Sequence, residues 1–223
     1  IVCHLKPPVL FVIAGKALPA DQPAQDLIRR ISEVARMPEF ESSFLFVENY
    51  DLRIAPRLVC GVDVWLNNPI YPHEASGTSG MKAAINGVIN LSVLDGWWAE
   101  GYDGANGWAI KPAFDALEAP RRDAEEARAL YQLLEDQVIP LYYTTGPGGF
   151  SPGWLAIAKQ SVASIVPRFS SVRMLGEYAE LPFKEIATIV GGPENTVKSR
   201  MRYALERLQD ALADYQDYAR ALG

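Results

Sequence analysis

A run of nine residues from Glu74 to Lys82 combines a carboxylate, three small hydroxyl residues, two glycines and one lysine. It follows an apolar stretch at residues 62–66 and opens a stretch with helical character at residues 78–86. Glycines in such a place let backbone N–H groups approach a ligand, and the N-terminus of a helix favours an anion. The 74–82 run therefore predicts a phosphate site with Lys82 beside the anion and Glu74 on its entering side. The competing interpretation is that Lys82 is a solvated lysine on an exposed helical turn.

Alternating strand and helix patterns are predicted to position this run. Apolar, β-branched stretches predict four strands, of which the first two are expected to be buried on both faces, at residues 9–14, 44–47, 62–66 and 88–93. Asp21 and Pro23 mark the start of a helix between the first two strands, and further helices are predicted at residues 51–60 and 78–86. This alternation is typical of a parallel sheet covered by helices. Ligands of such sheets bind beyond the carboxyl ends of the strands, where residues 67–80 lie.

Residues 95–110 are rich in glycine and aromatic residues, and two interpretations of them stay open. One is an irregular aromatic cluster that covers the sheet, because large aromatic side chains bury much apolar area. The other is one wall of a sugar or cofactor pocket. Beyond this segment, the pattern predicts helices at residues 121–140 and 154–166 with a loop between them at residues 144–153.

The composition bounds the class of protein. A chain of 223 residues, with 49% hydrophobic and 22% charged residues, suits one large globular domain or one domain with a small appendage. The net charge of −6 argues against a surface devoted to nucleic acid but permits a local basic patch. Two cysteines and two histidines indicate neither a disulfide framework nor a metal site, so a reducing, cytoplasmic location is expected. No bilayer-spanning stretch or signal peptide is visible, and a chain that starts at Ile1 is expected to be a fragment or a processed product.

Several motifs in order resemble the α-glucan (glycogen or maltodextrin) phosphorylases over residues 8–179. The 74–82 run resembles the cofactor-lysine segment of that family. The other matching segments are at residues 11–17, 46–50, 61–69, 90–98, 100–108 and 167–178. The resemblance implies an α/β fold for residues 1–179, with a Rossmann-like parallel sheet covered by helices that forms the incomplete C-terminal half of a GT-B fold.

The resemblance also implies a cofactor and the residues that bind it. Lys82 would carry pyridoxal 5′-phosphate as a Schiff base, and the backbone N–H groups of Thr78 and Ser79 would hold the cofactor phosphate. Tyr50 would line the cofactor pocket. In this family the cofactor is not an electron sink, and its phosphate exchanges a proton with inorganic phosphate.

The activity implied is a glycosyl transfer in which inorganic phosphate attacks an α-1,4-glucan and releases glucose 1-phosphate. Glu74 would bind sugar hydroxyls, and the small Ser76 and Gly77 would let a sugar approach the backbone. The implied partners are α-glucan and inorganic phosphate, with no membrane, and a homo-oligomer is left open. The family's N-terminal domain and its basic phosphate-holding segment have no counterpart in this sequence. Because phosphate needs several converging cations, we expect the chain to be inactive by itself.

The tail differs in character from the residues before it. Residues 181–208 resemble region 4 of sigma factors of the extracytoplasmic-function type, a helix-turn-helix that reads the −35 promoter element. Pro182 starts the first predicted helix, Gly191 permits the turn, and one long helix or two follow from Asn195 to Ala221. The predicted domains are therefore residues 1–179, and residues 180–223 as a small all-α tail.

The implied DNA contacts lie early in the second tail helix, at Asn195, Thr196, Lys198, Arg200 and Arg202. Residues 181–209 contain five basic and three acidic residues, a local charge of +2 in an acidic chain. The alternative function is thus a DNA-binding transcription regulator whose sheet domain senses a sugar phosphate. Two further interpretations stay open: a helical pair with a solvated charged face, and a recombinant product that folds without a function.

Overall fold

The structure is a computed structural model that describes residues 8–41, 43–113, 118–180, 182–203 and 206–207, with only the backbone at residues 178–180. These residues form two compact units, the sheet unit up to Pro167 and the helical unit from Arg168. The predicted boundary between residues 179 and 180 falls at the end of a helix of the helical unit and stays a prediction. Of the sequence features above, Ile1, Leu181 and the helix predicted beyond residue 207 lie outside the described residues.

Five parallel strands form two sheets in the sheet unit. Strand β1 (Phe11–Ala14) pairs with β2 (Phe44–Val47). Strand β4 (Ile89–Val93) lies between β3 (Val64–Asn67) and β5 (Gly107–Ile110). The predicted α/β class, with parallel strands and helices, is confirmed.

Two details of the predicted sheet are wrong. Among the residues that the structure describes, the strands form two hydrogen-bonded sheets rather than one, and β5 lies inside the glycine-rich segment for which no strand was predicted. In addition, β1 and β2 are partly exposed rather than buried on both faces. Among the described residues these two strands pair only with each other, and an isolated two-stranded ribbon cannot cover both of its faces.

The helices of the sheet unit are α1 (Gln22–Ala35), α2 (Ala55–Gly61), α3 (Thr78–Ile85), α4 (Gly96–Gly101), α5 (Ala119–Leu133), α6 (Ile139–Tyr143) and α7 (Pro152–Arg168). The predicted helices occur in the expected order, and α4 is an additional helix that was not predicted. Asp21 caps α1 as predicted, because its side chain accepts a hydrogen bond from the N–H of Ala24 at 3.1 Å. The predicted helix at residues 51–60 starts later than expected, since Asp51 forms a turn with Ile54 and Ala55 before α2 begins.

The core of the sheet unit is centred on β4, which is buried at every position. The buried cluster comprises Ile89, Leu91, Val93, Trp108, Ile110, Leu134, Val138 and Ile139. Phe11 of β1 and Val64 of β3 both pack against this cluster, so the two sheets share one core. The predicted helix at residues 121–140 is interrupted by a π-helical turn, Leu134–Val138, whose apolar side chains face the core.

The tryptophan side chains of residues 95–110 are buried, as the first of the two interpretations predicts, but the segment is not irregular, because it contains α4 and β5. Trp97, Trp98 and Trp108 are all buried. The indole N–H of Trp98 donates to the carbonyl oxygen of Trp108 at 3.1 Å, which satisfies the polar atom that burial would otherwise isolate. Tyr102 also lines an open depression beside Trp108, so the pocket-wall interpretation stays a prediction.

The helical unit contains α8 (Ser171–Glu180), α9 (Phe183–Ile189) and a third helix, α10, over residues 194–203. Gly191 lies in the turn between α9 and α10 with a φ of 64°, a conformation that favours glycine. Val197 packs with Ile186 and Ala187 in a small buried cluster. The predicted helix-turn-helix is therefore confirmed. In the part of the chain that the structure describes, no helix has the length and apolar character needed to cross a membrane.

Candidate functional site

The 74–82 run forms the N-terminus of α3, at the carboxyl edge of the three-stranded sheet. It follows β3, and α3 then leads into β4. Gly77 is the residue before the first helical position and has a φ of 88°. The backbone N–H groups of Thr78 and Ser79 donate to no residue that the structure describes. Two free N–H groups at a helix N-terminus form a potential anion-binding site.

The start of the run is held by the residues that follow β4. Asp95 is buried, and its two carboxylate oxygens accept hydrogen bonds from the N–H of Glu74 at 3.0 Å and of Gly96 at 2.8 Å. The carbonyl oxygen of Ser76 accepts a hydrogen bond from the N–H of Trp97 at 2.7 Å. Hence the end of β4 and the start of α4 fix the backbone of the loop that enters α3.

Close packing explains the two glycines of the run. A Cβ added at Gly77 would lie 3.0 Å from Cδ1 of Trp97 and 3.1 Å from Oε1 of Glu74. A Cβ added at Gly80 would lie 2.7 Å from Oδ1 of Asn90 and 2.8 Å from Nε1 of Trp97, which is closer than real contacts allow. Gly77, at the N-terminus of α3, thus lies close to both the Glu74 carboxylate and the Trp97 indole.

Lys82 lies on the exposed face of α3, while Ala83 and Ala84 are buried. Residues three and four apart share a helical face, so Lys82 lies on the same face as Thr78 and Ser79. Long side chains on a helix lean towards its N-terminus. General helix geometry thus favours a lysine side chain that extends towards the two free N–H groups, and Lys82 forms no salt bridge with any described residue.

Two further predicted residues contribute less to this arrangement. Ser76 is exposed, and only its backbone takes part in the hydrogen bond to Trp97. Tyr50 lies after β2 and is partly buried, and no hydrogen bond or ring contact joins it to the 74–82 run among the described residues. Its neighbour Asp51 is partly buried, and hydrogen bonds from Arg53 hold the pKa of that carboxyl below its usual range.

Three residues that support the site were not predicted as site residues. Asn90 is fully buried in β4 and its amide donates to the carbonyl oxygen of Gly80 at 3.1 Å. Asp95 and Trp97 hold the loop itself. Asn90 could have been identified as a polar residue within an apolar strand. Asp95 could have been identified from the Asp-Gly pair that follows shortly after this strand.

In the helical unit, burial of Val197 orients α10. A helix turns by about 100° per residue, so the side of α10 opposite Val197 carries Asn195, Ser199 and Tyr203, all of them exposed. Ser199 and Tyr203 were not among the predicted DNA contacts. This face presents amide, hydroxyl and phenol groups to solvent.

Charged residues border that exposed face. Arg202 lies beside its centre, and Lys198 and Arg200 lie on opposite flanks, while Thr196 is partly exposed. Lys198 forms an ion pair with Glu194, 2.6 Å from Nζ to Oε1. The guanidinium of Arg207 lies 5.9 Å from the ring centroid of Tyr203. Four of the five predicted DNA contacts are thus exposed, and one of those four, Lys198, is already paired.

Comparison with known proteins relates the two units to two families. A family model described as carbohydrate phosphorylase matches residues 4–102, and a model of sigma-70 region 4 matches residues 164–210. The sheet unit and the helical unit each contain most or all of the described part of one match.

Several curated proteins similar to this chain are phosphorylases. Maltodextrin phosphorylase of Thermococcus litoralis is 48% identical over 180 residues, which covers 81% of this chain and 21% of the relative. Glycogen phosphorylase of Aquifex aeolicus is 49% identical over 179 residues, which covers 80% and 25%. Glycogen phosphorylase of Mycobacterium bovis is 43% identical over 173 residues, which covers 78% and 20%. The chain therefore spans a fifth to a quarter of the length of these relatives. The chain is thus similar to carbohydrate phosphorylases over one segment and to sigma-70 region 4 over another.

Proposed function

We propose that the sheet unit is the cofactor-holding part of an α-glucan phosphorylase and that it binds pyridoxal 5′-phosphate covalently through Lys82. The observation that carries this proposal is the arrangement on α3. One exposed lysine lies a single helical turn after a helix N-terminus whose Thr78 and Ser79 N–H groups have no partner among the described residues. A primary amine and an anion site one helical turn apart match the two reactive ends of the cofactor.

The residues present fit this group in type. The N–H groups of Thr78 and Ser79 would bind its phosphate, because a helix N-terminus favours negative charge. Gly77 suits the entrance of α3, since its φ of 88° favours glycine and a side chain there would meet Trp97 and Glu74. When bound, the cofactor would supply a phosphate group that exchanges a proton with inorganic phosphate.

The chain's own residues would bind and orient the sugar. Glu74 would accept hydrogen bonds from sugar hydroxyls, with its backbone held by Asp95. Exposed Ser76 and the bare backbone of Gly77 would let a glucosyl unit approach closely. The proposed substrates, α-glucan and inorganic phosphate, follow from the names of the relatives, maltodextrin and glycogen phosphorylase.

We also propose that this chain alone does not turn over its substrate. Lys82 is the only basic residue of α3, and the nearest acidic groups, Glu74 and Asp95, carry the wrong sign to attract phosphate. Stabilising a transferring phosphate requires several cations at one point. Purified chain with maltoheptaose, cofactor and phosphate should therefore form no glucose 1-phosphate, and a linear rise in that product would contradict the proposal.

An absorbance titration tests the cofactor assignment. Adding pyridoxal 5′-phosphate should produce a near-ultraviolet or visible band that disappears on borohydride treatment. The band should be lost in Lys82→Ala and kept in Lys159→Ala, which removes another exposed lysine, on α7. Equal bands in both variants would show that the cofactor reacts with lysines at random.

A second function is favoured by the surface of the helical unit, namely binding to double-stranded DNA. The exposed side of α10 combines Asn195 and Ser199 with flanking cations, the mixture expected of a helix that enters the major groove. A gel-shift titration at several salt concentrations tests it, because binding through phosphates must weaken steeply with salt. Binding that is absent at low salt would exclude this function.

A further inference from the structure

An ion pair lies at the edge of the α10 surface that is proposed to contact DNA. The Nζ atom of Lys198 lies 2.6 Å from Oε1 of Glu194, one helical turn earlier in α10. The same Nζ atom lies 5.6 Å from the centroid of the Phe183 ring on α9. Arg200 and Arg202, by contrast, have no ion-pair partner among the residues that the structure describes. The guanidinium groups of the two arginines are therefore available to bind phosphate, whereas the ammonium group of Lys198 lies against both Glu194 and the Phe183 ring.

The pair lies at the edge of the DNA-facing side of α10. Helical geometry puts Glu194 and Lys198 on the same flank, beside α9, and Val197 between them in sequence is buried. Both side chains are a little over two-fifths exposed, at 42% and 44%. A phosphate that approaches Lys198 along this flank would also approach the Glu194 carboxylate, which repels it.

We propose that Glu194 competes with DNA phosphate for Lys198 and so limits the affinity of the helical unit. This inference rests on the proposed DNA-binding function. For Lys198 to contact a phosphate, its ammonium must leave the carboxylate and the Phe183 ring. Until it does so, the chain neutralises one phosphate fewer than its count of basic residues suggests. Glu194 therefore determines both the strength of binding and its dependence on salt.

The opposing explanation is that Glu194 only stabilises the first turn of α10, where an acidic side chain is favourable. Glu185 provides a matched control for this explanation. It is also exposed and in the first turn of a helix, α9, and it forms no ion pair among the described residues. Glu185→Gln removes the same charge from the same unit without releasing Lys198.

The test is a fluorescence anisotropy titration of a labelled duplex of mixed sequence with the full chain. Four variants are compared at several salt concentrations: Glu194→Gln, Glu185→Gln, Lys198→Ala, and Lys198→Ala combined with Glu194→Gln. We expect Glu194→Gln to bind about two- to fivefold more tightly at low salt, with a salt slope steeper by about 0.9. Lys198→Ala should change little in the native background but abolish the gain in the Glu194→Gln background.

The outcomes separate this inference from the function on which it rests. Equal affinity gains for Glu194→Gln and Glu185→Gln would overturn the competition and leave DNA binding intact. A strong loss of affinity for Lys198→Ala in the native background would also overturn it, because Lys198 would then already contact DNA. If neither the native chain nor Glu194→Gln binds at any salt concentration, both proposals are excluded. Circular dichroism of each variant would show that the helices are retained.

Discussion

The carboxylate of Asp95 accepts a hydrogen bond from the backbone N–H of Glu74 at 3.0 Å, although 21 positions separate the two residues. Its other oxygen accepts from the N–H of Gly96, and the side chain is only 6% exposed. This contact ties the entrance of α3 to the end of β4. The proposed sugar-binding carboxylate and the proposed phosphate site are thereby positioned by one buried strand.

Asp95→Ala should destabilise the sheet unit by about 2–4 kcal/mol, because it leaves two N–H groups without their acceptor in a poorly hydrated place. Chemical denaturation of the chain measures this. Asp123→Ala is the control: that carboxylate is exposed and paired with Arg122, so its loss should cost less than about 1 kcal/mol. Equal effects of the two changes would show that the Asp95 contacts do not stabilise the fold.

Gly80→Ala should destabilise the sheet unit by about 1–3 kcal/mol, since the added methyl group would overlap Asn90 and Trp97. Gly61→Ala is a matched control at the end of α2, where an added Cβ would meet nothing within 4 Å. That change should be neutral or stabilising by up to about 1 kcal/mol. Thermal melting of the two variants compares them, and a neutral Gly80→Ala would contradict the close packing over α3.

The sequence predicted those elements whose signals are local. The Asp21 cap, the start of α3 after Gly77 and the turn at Gly191 each depend on a few neighbouring residues, and each was found. Strand β5 was missed because its glycine and tryptophan at residues 107–108 acquire strand structure only by pairing with β4. The exposure of β1 and β2 depends on which elements pack against them, and a local sequence pattern does not specify those elements.

The same limit explains what was missed at the site. The types and spacing of residues in the 74–82 run indicate an anion site, since a helix N-terminus is a local feature. The hydrogen bond from Glu74 to Asp95 joins distant parts of the chain and is visible only in the fold. The ion pair of Lys198 with Glu194 was within reach of the sequence, because opposite charges four residues apart on a helix attract each other.

Tyr142 provides a prediction about pH. The charge of Asp63 first, then burial and a hydrogen bond to Asp63, raise the pKa of the Tyr142 phenol above its usual value near 10. Because the folded-state pKa is raised, the contribution of Tyr142 to stability is present below about pH 10 and is lost as the pH rises through the folded value.

Asp63→Asn should therefore lower the pKa of Tyr142, as measured by the tyrosinate absorbance that Tyr142→Phe removes. Tyr131→Phe, at an exposed tyrosine of α5, is the control, and an unchanged titration in Asp63→Asn would contradict this origin of the shift.

Val197→Ala should destabilise the helical unit by about 1–3 kcal/mol, because Val197 is one of three residues in its buried cluster. We expect this change to weaken DNA binding and to leave the cofactor absorbance of the sheet unit unchanged. Val172→Ala, at a valine that is 79% exposed, is the control and should have almost no effect on stability. Loss of the cofactor band in Val197→Ala would show that the two units do not function separately.

Site mapping of the bound cofactor tests the central proposal most directly. The chain is incubated with pyridoxal 5′-phosphate, reduced with borohydride and digested, and the labelled lysines are identified by mass spectrometry. We predict that the pyridoxyl label is concentrated on Lys82, next to the free N–H groups of Thr78 and Ser79. A label spread evenly over Lys82, Lys111 and Lys159 would contradict it.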